Sequence, residues 1–155
     1  MAKEVFWCSS CLNMSTRPRI TFDQEGRCNA CQWSDEKKTF NWKEREEELK
    51  KNLKKYTNAS DNYKVIVPVS GGKDGSYIAH KLKSDYGVEP LCVTVRPPLE
   101  TKIGQENVYN FVSSGFSHVH VSPDEEAMAA LNKYGFIEKG FPYYGWLICI
   151  HPAVL

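Results

Sequence analysis

The sequence predicts a mixed α/β protein: a parallel-sheet domain, preceded by a small metal-pinned ribbon and a linking helix. Three observations carry this. From Tyr63 onward, short β-branched runs alternate with helical patterns, the signature of strands joined by crossover helices. Four of the six cysteines fall in two Cys-x-x-Cys pairs before residue 32. A polar stretch, "TNASDN" at 57–62, separates a highly charged helical pattern from the first strand-like run. The expected segments are a ribbon over 1–34, a charged helix with linker over 35–62, and an α/β domain over 63–155.

The ribbon segment is turn-rich and too short to be held by apolar burial alone. Cys8-x-x-Cys11 and Cys28-x-x-Cys31 are separated by 16 residues. Each pair places two thiolates on one tetrahedral ion, so the spacing points to a structural Zn2+ site with no open coordination position. An iron–sulfur cluster or redox cysteines are the competing readings. "RPRITF" reads as a short strand and "DQEG" as its turn. Residues 35–56 read as one helix, with Trp42, Leu49, Leu53 and Tyr56 near one face. Its Glu46–Lys50 and Glu47–Lys51 spacings suit i,i+4 pairs, and acids interleave with the bases as on a solvated face.

In the α/β segment, "YKVIVPV" reads as the first strand, and residues 74–86 form a helix stopped by Gly87. "EPLCVTV" is the second strand, "KIGQENVYNFVSSG" a helix ended by glycine, and "HVHVS" a short third strand. "PDEEAMAALNKYG" completes the pattern as a helix with Pro123 and acids in its first turn.

Bulk composition bounds the function classes. The chain has 155 residues, 41% apolar and 25% charged, with a net charge of +1. That balance does not describe a nucleic-acid-coating protein. No apolar run approaches the roughly 18 residues of a membrane span, and "MAKEVFWCSSC" lacks a signal-peptide layout. A cytoplasmic location is expected.

The chemistry-bearing stretch is "VPVSGGKDGSY". Gly71 and Gly72 let backbone N–H groups converge without Cβ obstruction, and the following helix adds its unpaired N-terminal N–H groups. Ser70 and Ser76 offer hydroxyls, Lys73 a cation, and Asp74 a carboxylate for a helix cap, for Mg2+ or for the lysine. Together they describe an anion cradle at a strand's carboxyl end. A strand–turn–helix shaped only for packing is the alternative. The spacing is neither that of a Walker A loop nor G-x-G-x-x-G.

"SGGKDGS" resembles the Ser-Gly-Gly-x-Asp-Ser loop of the PP-loop (N-type) ATP pyrophosphatases. Ser70, Gly71, Gly72, Lys73 and Asp74 match it by position; Gly75 stands where the motif has its last serine, and Ser76 follows. The four-cysteine segment, the charged helix, "VPVSGGKDGSY" and "GVEPLCVTVRPP" together are similar to the N-acetyl sugar amidotransferase branch of that family. The resemblance implies an adenine nucleotide alpha-hydrolase-like domain that binds ATP with Mg2+, with Lys73 and Asp74 as catalytic residues. It implies contacts to the nucleotide from residues 70–76 and from Val93, Thr94 and Val95, with Arg96 just beyond them placed to meet phosphate or substrate. It further implies a sugar acetamido group activated as an adenylate, with ammonia from a separate glutaminase subunit, in surface-polysaccharide or nonulosonic-acid biosynthesis. Family members continue with more strands, so the resemblance implies an incomplete N-terminal part with "YKVIVPV" on an open edge.

A tRNA sulfurtransferase of the same loop class is the rival within the family, and a non-catalytic nucleotide-binding module the rival outside it. The first needs a sulfur-carrying cysteine such as Cys149, which sits in the apolar run "WLICIHP" like a buried small hydrophobe. Cys92 reads as a core strand residue. His118 and His120 share a strand face, with no third ligand near in sequence to make them a metal site. "FPYYGW" at 141–146 reads as an aromatic loop suited either to a sugar face or to core filling.

Overall fold

The computed structural model describes residues 4–57, 63 and 65–154. The chain forms two compact units, one running to Leu49 and the other from Lys50. Most of the expected linker, residues 58–62, lies outside the described residues.

The first unit has almost no regular sheet. Two isolated antiparallel bridges, Trp7 with Met14 and Phe22 with Cys28, are its only strand pairings among the described residues. "RPRITF" is therefore not a strand. Arg17 and Arg19 lie in turns, Arg19 has φ 60°, and only Phe22 makes a bridge. The "DQEG" turn forms as expected. Gly26 takes φ 74°, and the Asp23 carboxylate accepts from the Glu25 and Arg27 N–H groups at 3.0 and 2.8 Å.

The expected single helix over 35–56 is two. Helix α1 spans Asn29–Thr39 and α2 spans Trp42–Thr57. The break falls at Phe40-Asn41. Asn41 Oδ1 accepts from the Glu44 N–H (3.3 Å), and Trp42 Nε1 donates to the Lys37 carbonyl (3.1 Å), closing α1. Nor is the apolar face of α2 covered along its length. Trp42, Leu49 and Tyr56 are exposed, while Leu53, within the second unit, packs against that unit's core.

The second unit is a three-stranded parallel sheet in the order β1-β2-β3. Strand β1 (Val65–Pro68) pairs Val67 with Cys92 of β2 (Pro90–Val95); β2 pairs Cys92 with His118 of β3 (Ser117–Val121). Between them lie α3 (Lys73–Tyr86) and α4 (Lys102–Ser113), as right-handed crossover logic requires. The alternating pattern puts Val67, Cys92 and the adjoining Val69 into one core with Ala79, Leu82, Val88, Phe111 and Phe116. The rings of Phe111 and Phe116 stack at 4.6 Å. Strand β1 is an edge: its described pairing is to β2 alone, and Ile66 on its other face is 47% exposed.

The helix expected over 123–135 differs from expectation at both ends. Helix α5 runs Glu125–Lys139, its N-cap is Asp124, whose carboxylate accepts from the Ala127 N–H at 2.8 Å, and Pro123 lies outside it. It passes straight through Gly135 and stops at Gly140, φ 64°. The reason is packing: part of the aromatic "loop" is itself a helix, α6 (Tyr144–Ile150), pressed against α5. A Cβ on Gly135 would lie 2.1 Å from Tyr144 Cβ, and one on Gly145 2.8 Å from Leu131 Cβ. Both glycines are needed for the close crossing.

Among the described residues no helix is long and apolar enough to cross a membrane.

Candidate functional site

The four cysteines of the first unit converge. Their Sγ atoms all lie within 4.8 Å of one another. Cys8 and Cys31 sulfurs are 3.9 Å apart and Cys11 and Cys28 3.6 Å. A tetrahedral ion with bonds of about 2.3 Å separates its sulfurs by about 3.8 Å, so the cage fits one ion such as zinc. A multi-iron cluster spreads its thiolates further apart. Cys8 and Cys28 are buried; Cys11 and Cys31 are half-buried.

The protein also supplies donors aimed at sulfur. The N–H groups of Ser10 and Cys28 reach Cys8 Sγ at 3.3 and 3.2 Å, and Asn13 Nδ2 donates to Cys28 Sγ at 3.4 Å. The Asn13 hydrogen bond leads in bringing the Cys28 thiol down to about 6, against the opposing effect of burial. Burial works against ionisation of Cys8 as well, and the backbone donors from Cys28, Ser10 and Cys11 outweigh it. Cys31 is pushed up to about 12, first by its hydrogen bond with Cys11 and then by burial. Four thiols this close cannot all ionise by themselves; a divalent cation is the partner that lets them.

In the second unit the Gly-rich loop joins the carboxyl end of β1 to α3. Gly71 takes φ 73°, and a Cβ there would lie 2.9 Å from Asn107 Cβ and 3.0 Å from the Val108 nitrogen, so this turn admits only glycine. Gly72 is the N-cap of α3 and offers no side-chain acceptor to the first turn. The other two helices that follow strands are closed by their own residues: Thr101 accepts from the Gly104 N–H on α4, and Asp124 caps α5. Among the described residues no N-cap side chain closes the start of α3, and exposed Ser70, Lys73 and Asp74 flank it. Lys73 and Asp74 pair with each other while both remain more than four-fifths exposed.

Gly75 has a packing cause. A Cβ there would stand 2.7 Å from the Pro68 carbonyl oxygen and 3.2 Å from Val69 Cα, so glycine lets α3 approach β1. Ser76, one place later, donates its hydroxyl back to the Gly72 carbonyl at 2.8 Å. Its hydroxyl is thus engaged within the first turn of α3.

Val93, Thr94 and Val95, at the carboxyl end of β2, are buried. Thr94 is held by two contacts. Its hydroxyl donates to the Val69 carbonyl at 2.8 Å, and His118 Nε2 lies 2.8 Å from the same oxygen. With its single hydrogen spent on Val69, Thr94 accepts from His118, which fixes the proton on Nε2. Burial, then the neighbouring His120, lowers the pKa of His118. Arg96, just past β2, is exposed and pairs through Nε with Glu100 Oε2 at 3.2 Å. Glu100 also accepts from Gln105 Nε2 at 2.9 Å, the leading cause of its lowered pKa, and lies 3.8 Å from His120 Nε2. Sequence reasoning passed over Glu100, Gln105 and the His118–Thr94 contact, which no local motif announces. Cys149 is half-buried in α6.

A scan against protein-family models finds no match for this chain. A search of curated proteins finds no relative either.

Proposed function

We propose that the second unit is a PP-loop ATP pyrophosphatase domain of the amidotransferase type and that the first is a structural zinc ribbon. One observation carries the nucleotide part. At the carboxyl end of β1, a turn that admits only glycine at Gly71 delivers an uncapped helix start, in the sequence "SGGKDGS". Uncapped N–H groups and the helix dipole favour a phosphate there.

In this reading the acceptor is an N-acetylated sugar. Its acetamido oxygen attacks the α-phosphorus of ATP as the bond to pyrophosphate breaks. Ammonia then adds to the activated carbon and AMP leaves, giving an amidine. The N–H groups of the α3 start and the Lys73 ammonium hold the pyrophosphate oxygens, so charge is met where it develops. Ser76, turning from the Gly72 carbonyl, donates where Gly75 has no hydroxyl. Asp74 is the one loop carboxylate, which suits Mg2+, an ion commonly held by one or two carboxylates plus substrate phosphates; when bound, it neutralises the leaving charge. Cys8, Cys11, Cys28 and Cys31 hold zinc, which closes the ribbon and takes no part in the reaction. A glutaminase partner supplies ammonia.

The test is pyrophosphate release from ATP with ammonia and a panel of acetamido sugars, in the presence of Mg2+. Wild type should turn over and Asp74→Ala should fall at least about a hundredfold, the scale of one lost charge-stabilising group. Equal rates for the two proteins would remove the assignment.

A further inference from the structure

A cavity of about 620 Å³ lies beyond the carboxyl ends of β2 and β3, walled by the 96–100 loop, the 122–123 turn and α5. Its size is that of a small-ligand site. No residue of the 70–76 loop lines it, so a phosphate seated at the start of α3 leaves this space free. Neighbouring strands are only about 4.8 Å apart, so two ligands on adjacent strand ends stand side by side.

The lining identifies a ligand class. Among the described residues Arg96 is the one cationic side chain in the wall, which also carries the carboxylates of Glu100 and Glu125. Glu100 is only 15% exposed and takes the Nε of Arg96, while Gln105 steadies Glu100 in turn. The guanidinium is thereby oriented, and among the described residues its two terminal amino groups have no partner, a fork that matches the two oxygens of a carboxylate or phosphate. Asn132 gives its Oδ1 to the Gly145 N–H at 2.9 Å, which leaves its amide hydrogens as donors. Met128, Ala129 and Leu99 add aliphatic surface, and among the described residues no aromatic ring lines the space. A planar base finds no aromatic ring to stack on, whereas a compact ring with hydroxyl groups and C–H faces meets both donors and aliphatic surface.

We propose that this cavity is the acceptor subsite, taking a polyhydroxylated small molecule whose single carboxylate or phosphate is anchored by Arg96. The acceptor role rests on the ATP reading of the loop; the anion recognition does not.

Backbone amide NMR of the full chain tests both parts separately. The probes are N-acetylneuraminic acid (carboxylate), N-acetylglucosamine 1-phosphate (phosphate) and neutral N-acetylglucosamine, each with and without saturating ATP and Mg2+. Shifts at residues 96–100 and 122–132 are expected for at least one anionic sugar, with ATP present, and not for the neutral one. Which of the first two binds identifies the anion. Arg96→Gln should weaken that binding about tenfold or more, the loss of a charge-assisted hydrogen bond. Glu125→Gln, which removes a negative charge from the same wall, should tighten it. Equal binding of the neutral sugar, displacement of the anionic sugar by ATP, or indifference to both substitutions overturns the proposal. Failure of ATP to shift residues 70–76, with the anionic sugar still bound, overturns the ATP reading alone.

Discussion

The two units solve the same problem with different physics. Among residues 4–49 only Cys8 and Cys28 are buried, and Trp7, Trp33 and Trp42 are about half exposed or more. The second unit instead buries a contiguous apolar core from Val67 to Phe116 under its sheet. The first is organised around four sulfurs and the second around hydrocarbon, which explains why spacing revealed one and periodicity the other. A ribbon without a core has little to fold for unless a metal supplies the free energy.

The largest expected effect follows directly. Chelation, or Cys28→Ser, should unfold the first unit and leave the second standing. Structural zinc contributes on the order of 10 kcal/mol or more to such sites. Amide spectra should lose dispersion across residues 4–39 while the signals of 65–121 stay in place. Collapse of both sets of signals in one transition would mean that the two regions are not separately held.

The converse substitution sharpens the contrast. Phe111→Ala removes a ring that stacks on Phe116 in the core. It should cost about 3–5 kcal/mol, read as a lower urea midpoint for the second unit, with zinc affinity of the first unchanged. A matching drop in zinc affinity would join what the comparison separates.

How much of this was legible in sequence depended on the range of the cause. The Cys-x-x-Cys spacings, the strand–helix alternation and the Gly87 stop are local, and they appear where expected. The break at Phe40-Asn41 was also local, an Asn-x-x-Glu start hidden inside a charged run that looked continuous. Helix α5 passed through Gly135 because of Tyr144, nine residues on, a contact that no window over α5 contains. The Arg96 cavity draws its walls from two stretches far apart in sequence, 96–105 and 122–132, so only the folded chain assembles it.

A smaller effect lies in the loop itself. Gly75→Ser would give the chain the serine of the PP-loop pattern, yet its Cβ would press on the Pro68 carbonyl and on Val69. Overpacking of this kind costs roughly 1–3 kcal/mol. The second unit should lose that stability in denaturant titration, with the ribbon unaffected. If Gly75→Ser is as stable as wild type, then the close approach of α3 to β1 is not what holds glycine there.

The smallest effect separates the units by pH. His118 is buried enough beside Thr94 and His120 that its pKa is lowered from 6.5. The unfolded chain therefore binds its proton more readily than the folded one. Stability from this group is fully present above about pH 6.5 and is lost as pH falls through the lower folded value. The urea midpoint of the second unit should decline as pH falls below about 6.5. His118→Gln keeps a donor toward Thr94 and cannot titrate, so its midpoint should be flatter over that range. The hydrogen bond and the titration come apart in this pair: a Gln variant that is both destabilised at pH 7 and equally pH-dependent would mean that His118 is held by something other than the Thr94 hydroxyl, and that the acid sensitivity of the sheet lies elsewhere.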